Sequence, residues 1–166
     1  RLRTQKDFWT EELTVDYVPN TPYRAEMFMY IDSLCSKDPE QFEYLLRVLG
    51  TCLIRSECDS LFVFLGKTNN GKSLLMNLMD EILGKFGTSA DNDILFSTKV
   101  SNTEIASMLP RRLVYVDESR PRQILNDDKF KKITGGVNMN PREPHQKQRD
   151  ARSIIFHGTL ILMTNH

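Results

Sequence analysis

Apolar residues along the chain follow two rhythms. Between positions 24 and 35, Met27, Phe28, Tyr30, Ile31 and Leu34 recur at helical spacing, which predicts an amphipathic helix. Asp38 is a candidate N-cap, with Pro39 at the first helical position and Gln41 at the capping-box position. The helix that follows is expected to run to about Leu49, where Gly50 ends or bends it. The other rhythm is the short unbroken apolar run. Leu61–Leu65, Leu113–Val116 and Thr159–Met163 have the character of parallel strands buried on both faces. Ile94-Leu95-Phe96 reads as a further short strand. Leu74–Leu83 predicts a helix closed by Gly84, and Asp127–Ile133 a shorter one. Thr103–Leu109 predicts one or two helical turns stopped by Pro110.

Two stretches escape both rhythms. Residues 1–21 are polar and aromatic, with breakers at Pro19 and Pro22, and are expected to be an extended lead-in. Residues 137–156 are polar and basic, contain Pro141 and Pro144, and end in the β-prone Ile154-Ile155-Phe156. They predict a hairpin with its tip within 141–149. Helices alternating with apolar strands give an α/β fold with a parallel central sheet, preceded by a short helical segment. The domains expected are 1–58, the lead-in and first helices, and 59–166, the α/β core with the basic hairpin. The strand at 159–164 is expected between the other two long apolar strands.

Charge changes this picture only locally. The 166 residues carry no net charge, but residues 1–60 are net −4 and residues 120–166 are net +5. A polyanionic partner would therefore meet the second half of the chain. Cys35, Cys52 and Cys58 contain no C-x-x-C pair, which argues against zinc and suits buried thiols in a reducing, intracellular compartment. No apolar run approaches the roughly 18 residues needed to span a membrane, and no signal peptide opens the chain. A start at Arg1 reads as an excerpt from a longer polypeptide.

The candidate chemistry lies where apolar strands end. After Leu65 comes Gly66-Lys67-Thr68-Asn69-Asn70-Gly71-Lys72-Ser73, the G-x-x-x-x-G-K-[ST] pattern between a strand and a helix. The glycines let backbone N–H groups converge on phosphates, and the next helix points its N-terminus at the same charge. Lys72 would reach the terminal phosphates, and Ser73 would offer a hydroxyl to Mg²⁺. The 113–116 strand ends in Asp117-Glu118: one carboxylate for Mg²⁺, and Glu118 to polarise a water. The last strand delivers Asn165, placed to hydrogen-bond a γ-phosphate or orient the water. Three readings remain open from these residues: a DNA-translocating ATPase, a nucleotide or nucleoside kinase, and a non-catalytic P-loop module for DNA binding or assembly.

Together these motifs resemble the superfamily 3 helicases, and most closely the primase-helicase proteins of poxviruses, other large DNA viruses and some phages. The resemblance runs from about Phe28 to Asn165 and rests on Leu45–Gly50, Asn70-Gly71-Lys72-Ser73, Val116-Asp117-Glu118, Lys131–Gly136 and Met163-Thr164-Asn165. It implies an AAA+-like core that uses ATP and Mg²⁺, assembles as a homo-oligomeric ring, usually a hexamer, and runs on single-stranded DNA. It also implies a primase domain in the same polypeptide. Lys132, Arg142, His145, Lys147 and Arg149 would then contact DNA. After Thr134-Gly135-Gly136 this chain has Val137, where many members have Asp. The family's arginine finger and fifth core strand lie beyond its sensor strand, so a chain that stops at His166 is expected to be truncated.

Overall fold

Two helices precede the sheet, and each grows from the signals read above. In the computed structural model the described residues are 12, 13, 15–54, 60–97, 107–117, 123–134 and 156–165. Helix α1 spans Arg24–Leu34 and helix α2 spans Pro39–Thr51. The Asp38 carboxylate accepts the N–H groups of Glu40 and Gln41, and Pro39 occupies the first turn, where its missing N–H costs nothing. The described residues between 12 and 21 form neither helix nor strand.

Strand β1 (Leu61–Leu65) leads through a loop into helix α3 (Lys72–Leu83). A 3-10 turn at Gly84–Phe86 then feeds strand β2 (Gly87–Ala90) and the single helical turn α4 (Asp93–Phe96). Strand β3 (Leu113–Val116), helix α5 (Asp127–Thr134) and strand β4 (Thr159–Thr164) follow. The four strands are parallel, in the order β1-β4-β3-β2. The last strand thus lies between the first and the Asp117 strand, as expected. The order places every strand's C-terminal end along one edge of the sheet.

Alternation along the central strands builds two cores. Leu113, Tyr115, Ile161 and Met163 face one side and pack with Ile31, Val48, Leu49, Cys52, Leu75, Met76, Met79 and Leu83 of α1 to α3 and the residue after α2. Val114, Val116, Leu160 and Leu162 face the other side and meet Ile94, Leu95, Met108, Ile133 and Phe156. The first two helices therefore share a core with the sheet. Thr51 reinforces this, since its hydroxyl lies 2.9 Å from that of Thr159.

The structure corrects two local expectations. Residues 94–96 are helical: the Asp91 carboxylate accepts the Asp93 N–H at 2.9 Å, and the Ile94 and Leu95 N–H groups bond to Asp91 O and Asn92 O. Three consecutive apolar residues suit one buried helical turn as well as a strand, and here Ile94 and Leu95 are buried as a turn. Strand β1 is not buried on both faces. Among the described residues it pairs with β4 on one side only, and Val63 and Leu65 are 52% and 68% exposed. Of the turns expected over 103–109, residues 107 and 108 are helical and 103–106 lie outside the described residues. The 137–156 hairpin also lies outside them, except Phe156. Cys35 and Cys52 are buried, unlinked thiols, and Cys58 lies outside the described residues. No helix among the described residues is long and apolar enough to cross a membrane.

Candidate functional site: a phosphate loop at the strand ends

The loop after β1 begins beside the end of β4. The Gly66 N–H donates to Thr164 O at 3.2 Å, one step beyond the β1–β4 ladder. Two left-handed residues, Asn69 (φ 61°) and Gly71 (φ 92°), then curl the chain into α3. Glycine at 71 is favoured chiefly by its backbone conformation. Its φ is one that side chains disfavour, and a Cβ there would come within 2.9 Å of Leu34 Cδ2.

Lys72 lies at the centre of the curl. Its ammonium donates to Gly66 O (2.7 Å), Lys67 O (3.1 Å), Asn70 Oδ1 (3.1 Å) and Asn165 Oδ1 (2.9 Å). The Lys72 ammonium and the Asn165 amide, 93 residues apart, are thus in direct contact. A cavity of about 450 Å³ opens beside them, lined by residues 68–74 together with Asp117, Met163, Thr164 and Asn165. The N-terminus of α3 faces it with no side-chain cap, so its first N–H groups suit an anion. Ser73 and Asp117 line the same cavity. A hydroxyl and a carboxylate are hard oxygen donors suited to Mg²⁺, and the lysine and helix N-terminus complement phosphate. The residues present therefore fit a magnesium–nucleotide pair.

Of the candidate residues, Thr68, Asn69, Asn70, Gly71, Lys72, Ser73, Asp117 and Asn165 all line one cavity, and Gly66 and Lys67 present their carbonyls to Lys72. Glu118, Arg142, His145, Lys147 and Arg149 lie outside the described residues. Lys132 lies on α5, and its side chain is outside them as well.

The sequence reading missed three contributors. A second cavity of about 500 Å³ shares Ser73, Asp117 and Met163 with the first and reaches Asn77, Asp91 and Asn92 past the end of β2. Gly-Thr-Ser-Ala has no apolar pattern, so nothing in the sequence marked β2 as a strand that brings polar residues to this edge. Tyr115 of β3 donates to Asp80 Oδ2 of α3 at 2.6 Å. Burial, then this bond and the charges of Asp80 and Asp117, push its phenol up to about 12. Tyr30 of α1 reaches the loop itself, donating to Gly71 O at 2.9 Å.

Known proteins resemble this chain in sequence or in fold. The chain is 30% identical over 125 residues to "Putative helicase L207/L206" of Acanthamoeba polyphaga mimivirus, an alignment covering 70% of this chain and 13% of that protein. It is 25% identical over 158 residues to "Putative primase C962R" of African swine fever virus, covering 90% of this chain and 16% of that one. The chain thus spans less than a fifth of these viral relatives. The apo structure of the NrS-1 C-terminal region superposes with a TM-score of 0.67 at 15% identity, over 92% of this chain and 36% of that one, which shows a shared fold. The model of DUF5906, a family of unknown function, matches residues 64–166, from within β1 past Asn165. With the loop after β1 and both the Asp117 and Asn165 strands inside that match, the chain belongs to the DUF5906 family.

Proposed function

We propose that the chain is the ATP-hydrolysing core of a DNA helicase of the superfamily 3 type, with an AAA+-like fold. It works with Mg²⁺ as a ring oligomer on single-stranded DNA. The observation that carries this reading is the convergence of Lys72, Ser73, Asp117 and Asn165 on one cavity at the C-terminal edge of the parallel sheet. The likeness to viral proteins named as a helicase and a primase supports it.

In this reading residues 66–73 hold the phosphates, with backbone N–H groups and the Lys72 ammonium opposing their charge. Ser73 and Asp117 would hold Mg²⁺, whose charge would oppose that of the phosphates. Glu118 takes a proton from water, and Asn165 aligns it. The Lys72–Asn165 bond gives the loop and the last strand a shared contact that a γ-phosphate would compete for. Lys132, Arg142, His145, Lys147 and Arg149 contact the DNA backbone, and a neighbouring subunit supplies an arginine to the γ-phosphate.

The test is ATP turnover by the full-length protein with and without single-stranded DNA. Stimulation by DNA is expected. Lys72→Ala should abolish productive nucleotide binding. Glu118→Gln should bind nucleotide but lose on the order of 10²–10⁴ in rate, as removal of a general base does. Phosphate transfer to a nucleoside monophosphate, with no response to DNA, would instead establish a kinase.

A further inference from the structure

We propose that Tyr30, on helix α1, is a positioning residue of the phosphate loop: its hydroxyl holds the Gly71–Lys72 peptide so that the Lys72 N–H faces the cavity. This rests on the nucleotide-binding reading above. The Tyr30 hydroxyl donates to Gly71 O at 2.9 Å across 41 residues of sequence. The same carbonyl accepts the Leu75 N–H at 3.0 Å, the first bond of α3. In a trans peptide the C=O and the next N–H point to opposite sides, and no described peptide is cis. Fixing the carbonyl on the α1 side therefore aims the Lys72 N–H the other way. There it approaches Asn70 Oδ1 at 3.4 Å, the oxygen that also accepts from the Lys72 ammonium at 3.1 Å. A neutral amide oxygen thus occupies the position among these donors that suits a phosphate oxygen.

Glycine at 71 makes such a restraint necessary. A left-handed glycine has alternatives within easy reach, and the Tyr30 hydroxyl on α1 restrains this one at its carbonyl. Tyr30 Oη and Leu34 Cδ2 would lie 3.5 and 2.9 Å from a Cβ at Gly71. Helix α1 is itself fixed. Ile31 is buried in the core, and Phe28 packs edge-on against Phe42 of α2 with centroids 5.9 Å apart. Burial raises the Tyr30 phenol above its ordinary value, which keeps it protonated as a donor.

The experiment is Tyr30→Phe in the full-length protein, which removes one hydroxyl and keeps the ring. Equilibrium binding of Mg-ATP and Mg-ADP is measured, with inorganic pyrophosphate as competitor, alongside steady-state turnover. All three affinities should weaken about 5- to 10-fold, the range set by one hydrogen bond. KM for ATP should rise by a similar factor while kcat stays within about twofold, since the loop holds phosphate alike in ground and transition states. In the ADP-bound protein, the Lys72 amide should exchange faster. A lower melting temperature with unchanged affinities would make Tyr30 merely structural and overturn the proposal. Lys72→Ala separates the two readings. If the unmodified protein binds no nucleotide, both fall; if it binds, loses binding with Lys72→Ala and is indifferent to Tyr30→Phe, only the role of Tyr30 falls.

Discussion

Tyr115 and Asp80 are single residues with a measurable alkaline signature. The phenol donates to the carboxylate at 2.6 Å, and Asp80 Oδ1 is buried without a hydrogen-bond partner among the described residues. In the unfolded chain a tyrosine ionises near pH 10; here it ionises at about 12. Between those values the unfolded chain loses its proton first. This contribution to stability is therefore intact below about pH 10 and is lost as pH rises towards about 12. A shift of this size corresponds to at most about 3 kcal/mol. Tyr115→Phe should cost about 1–3 kcal/mol at neutral pH, because Asp80 loses its donor. It should also flatten the decline above pH 10. Urea denaturation of both proteins at neutral and alkaline pH checks this, and equal alkaline slopes would mean that another group titrates. None of it was legible beforehand. Tyr115 sits in the apolar run Leu113–Val116, and only the packing of α3 on β3 brings Asp80 to it.

Elements differ in how far they are locally specified. Helix α2 announces itself. Asp38 caps it through Glu40 N (2.9 Å) and Gln41 N (3.3 Å), and the Gln41 amide returns a bond to Asp38 Oδ2 (3.1 Å). Asp38→Ala should cost about 1 kcal/mol, and Asp38→Asn should recover most of that. Thermal denaturation measures it, and an alanine variant as stable as the parent would show that the helix is held by its core residues alone. Val48 and Leu49 are those residues, buried against the sheet. Strand β2 is the opposite case. Gly-Thr-Ser-Ala has little strand propensity of its own, and it is extended because β3 offers a parallel partner, Gly87 to Leu113 through Ala90 to Val116. The 94–96 run shows the same limit, since hydrophobicity alone does not distinguish a short strand from a helical turn.

For the whole molecule, the order β1-β4-β3-β2 fixes what can act together. It gathers the phosphate loop, Asn165, Asp117 and Asp91 along one edge. It also leaves Val63 and Leu65 of β1 exposed on the face that α4 and α5 cover elsewhere. The basic stretch 142–152 joins this edge in sequence through β4, which ends at Asn165. If Lys147 and Arg149 contact DNA phosphates in the full-length protein, replacing both with Ala should weaken single-stranded DNA binding. The slope of log affinity against log salt should become shallower by about 1.4, or roughly 0.7 for each phosphate that is no longer neutralised. Nucleotide affinity without DNA should not change. Unchanged DNA binding with impaired nucleotide binding would place these side chains at the nucleotide site or a subunit interface instead.

The sequence by itself determined the loop between β1 and α3, the two strands that end in Asp117 and Asn165, the Asp38-capped helix and the parallel α/β class. Each is written in contiguous residues, as an apolar run, a cap or a G-x-x-x-x-G-K-S loop, and each keeps its local physics wherever the chain goes. The position of β4 between β1 and β3 was also expected from the sequence, but tertiary structure alone decided that Asn165 meets Lys72 directly. It alone made a strand of Gly87–Ala90, and brought Tyr30 to Gly71 and Tyr115 to Asp80. These pairs join residues far apart in sequence, and the burial that aligns them exists only after the sheet and the helices on its two faces have closed their cores.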